Sequence, residues 1–234
     1  MPKKDLIPTL YEDDYLIAIQ KPPRVVSVPN PQTSLNASVL GKVQRRYEGK
    51  GFKPYLLHRL DKETSGVLLF GKFERDRTPL EAIFQHSETE KSYLTFLKGV
   101  PRGDSVQIPL KARTADVSVE AKTHFSILKT MRIFGASCAL VEAVIETGRR
   151  HQIREHFSRI GCPVIMDAEY GDFAFNRKFR IVLRLGRLFL HAKRIRFMHP
   201  FLKQLITIEA PIPMDLLSVL KKVFGSSFSF KIKN

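Results

Sequence analysis

The stretch Leu57-His58-Arg59-Leu60-Asp61-Lys62-Glu63-Thr64-Ser65-Gly66-Val67-Leu68-Leu69-Phe70 sets a charged loop directly against an apolar run. Four apolar residues in a row, bounded by turn-formers, read as a buried strand. A loop that feeds such a strand is anchored on a rigid edge. Asp61 stands in that loop among His58, Arg59 and Lys62. Fixed cations favour the charged form of a carboxylate, which suits a nucleophile or base that must stay ionised at neutral pH. Thr64, Ser65 and Gly66 can bring the backbone close to a substrate. Taken alone, however, a loop of this composition reads first as a surface cluster of ion pairs, each worth at most about 1 kcal/mol.

Outward from this loop the chain alternates strands and helices. Residues 1–10 read as an N-terminal arm. Tyr15-Leu16-Ile17-Ala18-Ile19 reads as a strand stopped by Lys21-Pro22-Pro23. Residues 36–48 have helical spacing, with Asn36 as N-cap and Val39, Leu40, Val43 and Tyr47 on one face. A helix is expected over 76–86 and strands over 91–98, 105–112, 121–129 and 138–146. Residues 150–160 form the clearest amphipathic helix, with Ile153, Phe157 and Ile160 as its stripe and Gly161 as its stop. Strands over 187–198 and 204–210 precede a last helix opened by Asp215. Adjacent strands without an intervening helix pair antiparallel as a rule. The expected fold is therefore α+β: one catalytic domain over 11–234 on a mixed, mainly antiparallel sheet with flanking helices and loops.

Composition narrows the partner. The chain has 234 residues, with 39 Lys and Arg against 23 Asp and Glu, a formal net charge of +16. Such an excess repels itself in the folded state, and a polyanionic partner is the common reason to carry it. Nucleic acid is the first expectation, ahead of an anionic membrane surface. Cys138 and Cys162 are too few for a disulfide framework or a zinc site. A reducing, cytoplasmic setting is expected. The N-terminus carries no signal-peptide pattern and no apolar run spans a membrane.

A second cluster runs Glu146-Thr147-Gly148-Arg149-Arg150-His151-Gln152-Ile153-Arg154-Glu155-His156. It sits where a strand becomes a helix, and a helix N-terminus with Arg149 and Arg150 beside it suits phosphate. Arg154 falls on the helix flank near the sheet, placed to meet a carboxylate. A basic, solvated helix face is the competing reading. His151 and His156 are five apart, which is not the spacing of a helical zinc pair, and no glycine-rich phosphate loop occurs. Neither metal nor cofactor is expected. Tyr93 stands near the start of an apolar strand, either as a core ring or as a stacking surface for a base.

His58-Arg59-Leu60-Asp61 with Thr64-Ser65-Gly66 resembles the signature of the RluA-type pseudouridine synthases. Residues 147–157 resemble that family's second block, and Gly161-Cys162-Pro163-Val164 with Asp167-Ala168-Glu169-Tyr170-Gly171 its continuation. Lys91-Ser92-Tyr93, Leu190-His191-Ala192, His199-Pro200 and Lys21-Pro22 are similar to further blocks, in the family's order. The resemblance covers about residues 10–213 and implies an RNA-modifying isomerase of uridine.

On that resemblance Asp61 is the essential aspartate, Tyr93 packs against the target uracil and Arg154 pairs with the aspartate. His58, Arg59, Arg149, Arg150 and His151 belong to the RNA-binding side, Arg59 filling the space of the flipped nucleotide. Isomerisation consumes nothing, so no cofactor is implied. The partner is RNA, transfer or large-subunit ribosomal, with no membrane and no metal; a monomer is the default. A separate N-terminal RNA-binding domain is not expected. The alternatives are a non-catalytic RNA-binding or RNA-folding factor on the same fold, and a DNA-binding protein, whose usual motifs are not visible. Arg24 and Met166 stand where the family usually has glycine, which puts those loops in doubt. The basic segment 176–187 reads as an inserted loop, either gripping RNA or merely solvated.

Overall fold

A computed structural model describes residues 7–112 and 117–228. The expected arm lies outside the described residues over 1–6. Strand β1 (Thr9–Glu12) runs antiparallel to β2 (Leu16–Lys21). Helix α1 (Val39–Arg46) follows, then the short β3 (Tyr55–Leu56), β4 (Ser65–Gly71) and α2 (Arg77–Ala82). Next come β5 (Glu90–Lys98), β6 (Ser105–Gln107), β7 (Leu110–Lys111), β8 (Ser118–Val119), β9 (Lys122–Ile133) and β10 (Ala136–Ile145). Helices α3 (Gln152–Arg159) and α4 (Phe173–Leu183) precede β11 (Leu190–Met198), β12 (Leu205–Glu209) and α5 (Met214–Phe224).

The described chain forms two compact units, neither continuous in sequence. The first takes the chain up to Tyr93, with Val144–Glu146 and Leu190–Pro211. Its strands lie in the order β1-β2-β4-β11-β12. The β4–β11 pair is parallel; β1–β2, β2–β4, β3–β4 and β11–β12 are antiparallel. This is the mixed, mainly antiparallel sheet expected of an α+β fold. Val67 and Leu69 of β4 enter one apolar cluster with Leu16 and Ala18, while Leu68 and Phe70 enter another with Ile17 and Ile19. Both faces of β4 are buried, which is why its sequence is continuously apolar rather than alternating. Gly66 has φ +123°, and a Cβ built on it would lie 2.1 Å from the Ala192 carbonyl oxygen. Only glycine lets β4 and β11 approach this closely at the exit of the Asp61 loop.

The second unit takes Leu94–Ala143, Thr147–Phe189 and the chain from Ile212. Its strand order is β5-β10-β9-β6. Phe134 and Gly135, with φ 52° and 84°, form the two-residue turn joining β9 to β10. Its core gathers Phe96, Phe175, Phe179, Phe189 and Leu216 among others.

Several boundaries differ from expectation. Ser38, not Asn36, caps α1: its hydroxyl accepts from the Gly41 N–H at 3.1 Å, and residues 35–37 form a single 3-10 turn. The expected strand 105–112 is two short strands, β6 and β7. Over 187–198 the strand begins only at Leu190, because Arg187 is buried in a fork on Asp215 at 2.7 and 2.9 Å. The largest correction concerns 176–187, which is not all loop. Residues 176–183 belong to α4, capped by Asp172, whose carboxylate accepts from the Phe175 N–H at 2.8 Å, and only 184–187 lie beyond the helix. Phe175 and Phe179 fix one face of that helix in the core. Arg24 and Met166 both adopt left-handed backbone, with φ 65° and 66°. That conformation costs a residue with a Cβ roughly 1–2 kcal/mol, which is the physical reason glycine suits both positions.

Candidate active site

Asp61 sits on a turn closed by the Thr64 N–H donating to the Asp61 carbonyl at 3.1 Å. The turn is held from both sides. Ser27 donates from its hydroxyl to the Leu60 carbonyl at 2.8 Å and accepts from the Leu60 N–H at 3.2 Å. Lys21 is fully buried, and its ammonium donates to the carbonyls of Pro22, Lys62 and Thr64 at 2.9, 3.0 and 2.8 Å. Three N–H groups thus meet three carbonyls, two of them in the turn that carries Asp61. Next along, the Ser65 hydroxyl lies 2.9 Å from His191 Nδ1, and His191 Nε2 lies 3.2 Å from the Ala210 carbonyl. With Nε2 as donor to that carbonyl, Nδ1 accepts from Ser65. Holding a side chain on a fixed backbone is the structural form of preorganisation. Lys21 and Ser27 were not legible as site residues, since one closes an apolar strand and the other lies in an ordinary loop.

Tyr93 is half-buried on β5 and packs against the cluster formed by Ile17, Leu60 and Leu68. Burial pushes its hydroxyl pKa well up, and the charge of Asp61 adds to the shift. Two consequences follow. The carboxylate and the ring share one electrostatic neighbourhood, and Tyr93 is a neutral phenol at neutral pH, a donor and a flat surface.

His58, expected on the RNA-binding side, is half-buried against β4. Its Nε2 accepts from the Leu69 N–H at 3.1 Å, and its ring lies 4.8 Å from that of Phe84. Burial, reinforced by the charge of Lys91, lowers its pKa to about 3. The ring is therefore neutral and fastens the loop to β4. An unfolded histidine titrates near 6.5, so the lowered folded value contributes stability above pH ~6.5 that is lost as pH falls toward 3. His156 and His199 are lowered in the same direction, both by burial first. The melting temperature is expected to fall steadily from pH 7 to pH 5 in calorimetry. His58→Gln, which keeps an acceptor without a titrating ring, should flatten that decline; an equal slope in the variant would remove His58 as a cause. Arg59 is exposed beside this loop.

In the second unit, Arg154 is buried on α3 and its guanidinium grips Asp167 with two hydrogen bonds of 2.6 and 2.8 Å. A third reaches Glu169 at 3.3 Å, and the guanidinium lies 5.1 Å from the Tyr170 ring centre. Burial alone would raise the Asp167 carboxyl; the Arg154 fork and the N–H groups of Tyr170 and Glu169 outweigh it and hold the pKa below the usual range. Asp167 is itself backed by α4, since Asn176 donates to the Asp167 carbonyl at 3.0 Å and accepts from the Met166 N–H at 2.8 Å. Gln152 accepts from Thr147 and from the Arg149 N–H, and donates to Lys122 and Thr123 of β9, tying the start of α3 to the sheet. His151 has a left-handed backbone, and its Nδ1 lies 3.2 Å from the Tyr170 hydroxyl. Arg149 and Arg150 are exposed, and Arg149 Nε donates to the Glu120 carbonyl. Asp167, Asn176 and Gln152 were not singled out by sequence. Asp167 lay inside a quoted block, and a carboxylate 13 residues from a buried arginine was the available signal.

Among the described residues no helix is long and apolar enough to cross a membrane. The family model described as RNA pseudouridylate synthase matches residues 15–159. Over 225 residues the chain is 34% identical to the ribosomal large subunit pseudouridine synthase C of Escherichia coli, an overlap of 92% of this chain and 69% of that one. It is 30% identical over 231 residues to the tRNA pseudouridine synthase C of Pasteurella multocida, covering 90% of this chain and 93% of the relative. The solved human RNA pseudouridylate synthase domain containing 4 has the same fold, with a TM-score of 0.72 at 23% identity over 92% of each chain. The chain is an RNA pseudouridine synthase, and it belongs to the RNA pseudouridylate synthase family.

Proposed function

We propose that the protein isomerises uridine in structured RNA, transfer RNA or large-subunit ribosomal RNA, with Asp61 acting on the ribose of a flipped-out nucleotide. The observation that carries this reading is that the turn bearing Asp61 is clamped by Lys21 and Ser27, and that Tyr93 packs against the cluster holding Leu60 of the same loop. The reaction breaks the bond from N1 to C1′ and forms one from C5 to C1′. The proton on C5 is lost and N1 gains one, so the sum is an isomerisation. Asp61 serves as a nucleophile at C1′ or as a base at C2′; both use an ionised carboxylate. Tyr93 offers its ring face to the uracil. In the second unit Arg154 is fixed by Asp167 as a buried cation. Flipping the base costs a few kcal/mol, and phosphate attraction to a chain of net charge +16 helps offset it.

The test is to incubate wild-type protein with unmodified transcripts of transfer RNA and of large-subunit ribosomal RNA and to map pseudouridines. New pseudouridine at defined positions is expected in one of the two classes. RNA that is bound but never isomerised would instead mark an RNA-folding factor on this fold.

A further inference from the structure

We infer that the outer face of α4 is a docking surface for the RNA phosphate backbone, separate from the residues that act on the uridine. From Phe173 to Arg184 the chain carries Arg177, Lys178, Arg180 and Arg184 and no acid. All four side chains are exposed. Arg177, Arg180 and Arg184 follow one another at intervals of three and four residues, so they share one stripe of the helix. At 1.5 Å per residue the first and last stand about 10 Å apart along the axis, roughly the rise of three nucleotides in one strand. The opposite side of the helix is fixed by Phe175 and Phe179 in the core, by Asn176 on Asp167 and by the Asp172 cap. The stripe is therefore presented on a rigid element.

Two features set this face apart from an ordinary solvated one. Like charges three and four apart destabilise a helix, and no acid in this stretch offsets them. The helix also ends on Arg184 in left-handed backbone, φ 58°, where glycine would close it with less strain. An arginine kept there extends the cationic row. Phe173, 67% exposed, lies in the same stripe and can stack on an unpaired base. An anionic membrane would require the apolar residues to form one wedge. Here Ile181 lies beside the row, Val182 lies further round toward the buried face, and Lys178 stands between them. The arrangement suits a polyanion with a hydrated surface.

The inference rests on RNA being the substrate and is tested by binding rather than turnover. The variant replaces Arg177, Lys178, Arg180 and Arg184 by glutamine. The measurement is the Kd for a transfer-RNA transcript and for a plain RNA duplex across a potassium chloride series, with melting temperature as the folding control. At about 0.1 M salt the Kd is expected to rise at least tenfold, and the slope of log affinity against log salt to fall by roughly 3. The single-turnover rate at saturating RNA should stay at the wild-type value. Two paired variants, R177Q/R180Q and K178Q/R184Q, should each remove about half of the slope change, which keeps the test readable if the quadruple variant unfolds. Wild-type Kd and slope in the variants would overturn the inference. So would unchanged RNA binding together with lost binding to anionic phospholipid vesicles, or together with lost self-association in sedimentation. A wild type that binds RNA with the expected slope but makes no pseudouridine would overturn the proposed function and leave the docking surface standing.

Discussion

Asp61→Asn is expected to lower turnover by roughly 10⁴-fold or more, the scale on which loss of an essential nucleophile or base is felt. The substitution is nearly isosteric. It leaves the Thr64 N–H to Asp61 carbonyl bond, the Lys21 clamp and the Ser27 contacts in place, because all of these engage backbone. The melting temperature of the variant serves as the folding control. RNA affinity should hold or tighten slightly, since the change removes one negative charge from a chain of net charge +16. The decisive comparison is single-turnover pseudouridine formation against Kd on the same transcript. A rate within tenfold of wild type would show that the carboxylate is not the reacting group. A parallel loss of affinity would instead make Asp61 a binding residue.

Arg154→Gln is expected to destabilise the protein by about 3–5 kcal/mol at neutral pH, the scale for breaking a buried pair by deleting one partner. Asp167 has no side-chain exposure and Arg154 only 10%, so little water can reach the carboxylate left behind. The N–H groups of Glu169 and Tyr170 still donate to it, which favours the lower end of that range. The pH dependence identifies the cause. In the wild type the folded pKa of Asp167 is lowered, so its contribution is present above the unfolded value near 3.9 and is lost as pH falls through the folded one. In the variant, burial without the cation raises that pKa. The deficit should be greatest at neutral pH and shrink as pH falls and Asp167 takes up a proton. Denaturant unfolding of both proteins from pH 7 to pH 4 measures this; a deficit independent of pH would point to lost packing rather than a stranded charge. A double variant, Arg154→Gln with Asp167→Asn, should recover part of the loss. Arg154→Lys should not restore wild-type stability, because one ammonium cannot reproduce the fork.

Local pattern carried much of this protein. The apolar run after Gly66, the stripe of Ile153 and Phe157, and the alternation of strands and helices were all legible, because periodicity reports which face of an element is buried. The charged loop singled out Asp61, the helix and strand patterns raised Arg154 and Tyr93 as candidates, and the family motifs gave them roles. The amino-acid sequence by itself thus determined the α+β class, the basic charge that suits RNA and the candidate residues. Periodicity does not report what a buried face meets. Lys21 and Thr64 are 43 residues apart, so the clamp on the Asp61 turn exists only once β2 and β4 are paired. Whether His58 is a cation for RNA or a neutral acceptor depends on its burial and on the Leu69 N–H. Segment 176–187 looked like a loop because Arg and Lys residues interrupt its apolar ones throughout. Its helical sense lies in Asp172, Phe175 and Phe179, which read as cap and core only when the aromatic cluster beneath them is in place. Tertiary structure decided these points because burial changes both the charge a side chain can carry and the partners it must find.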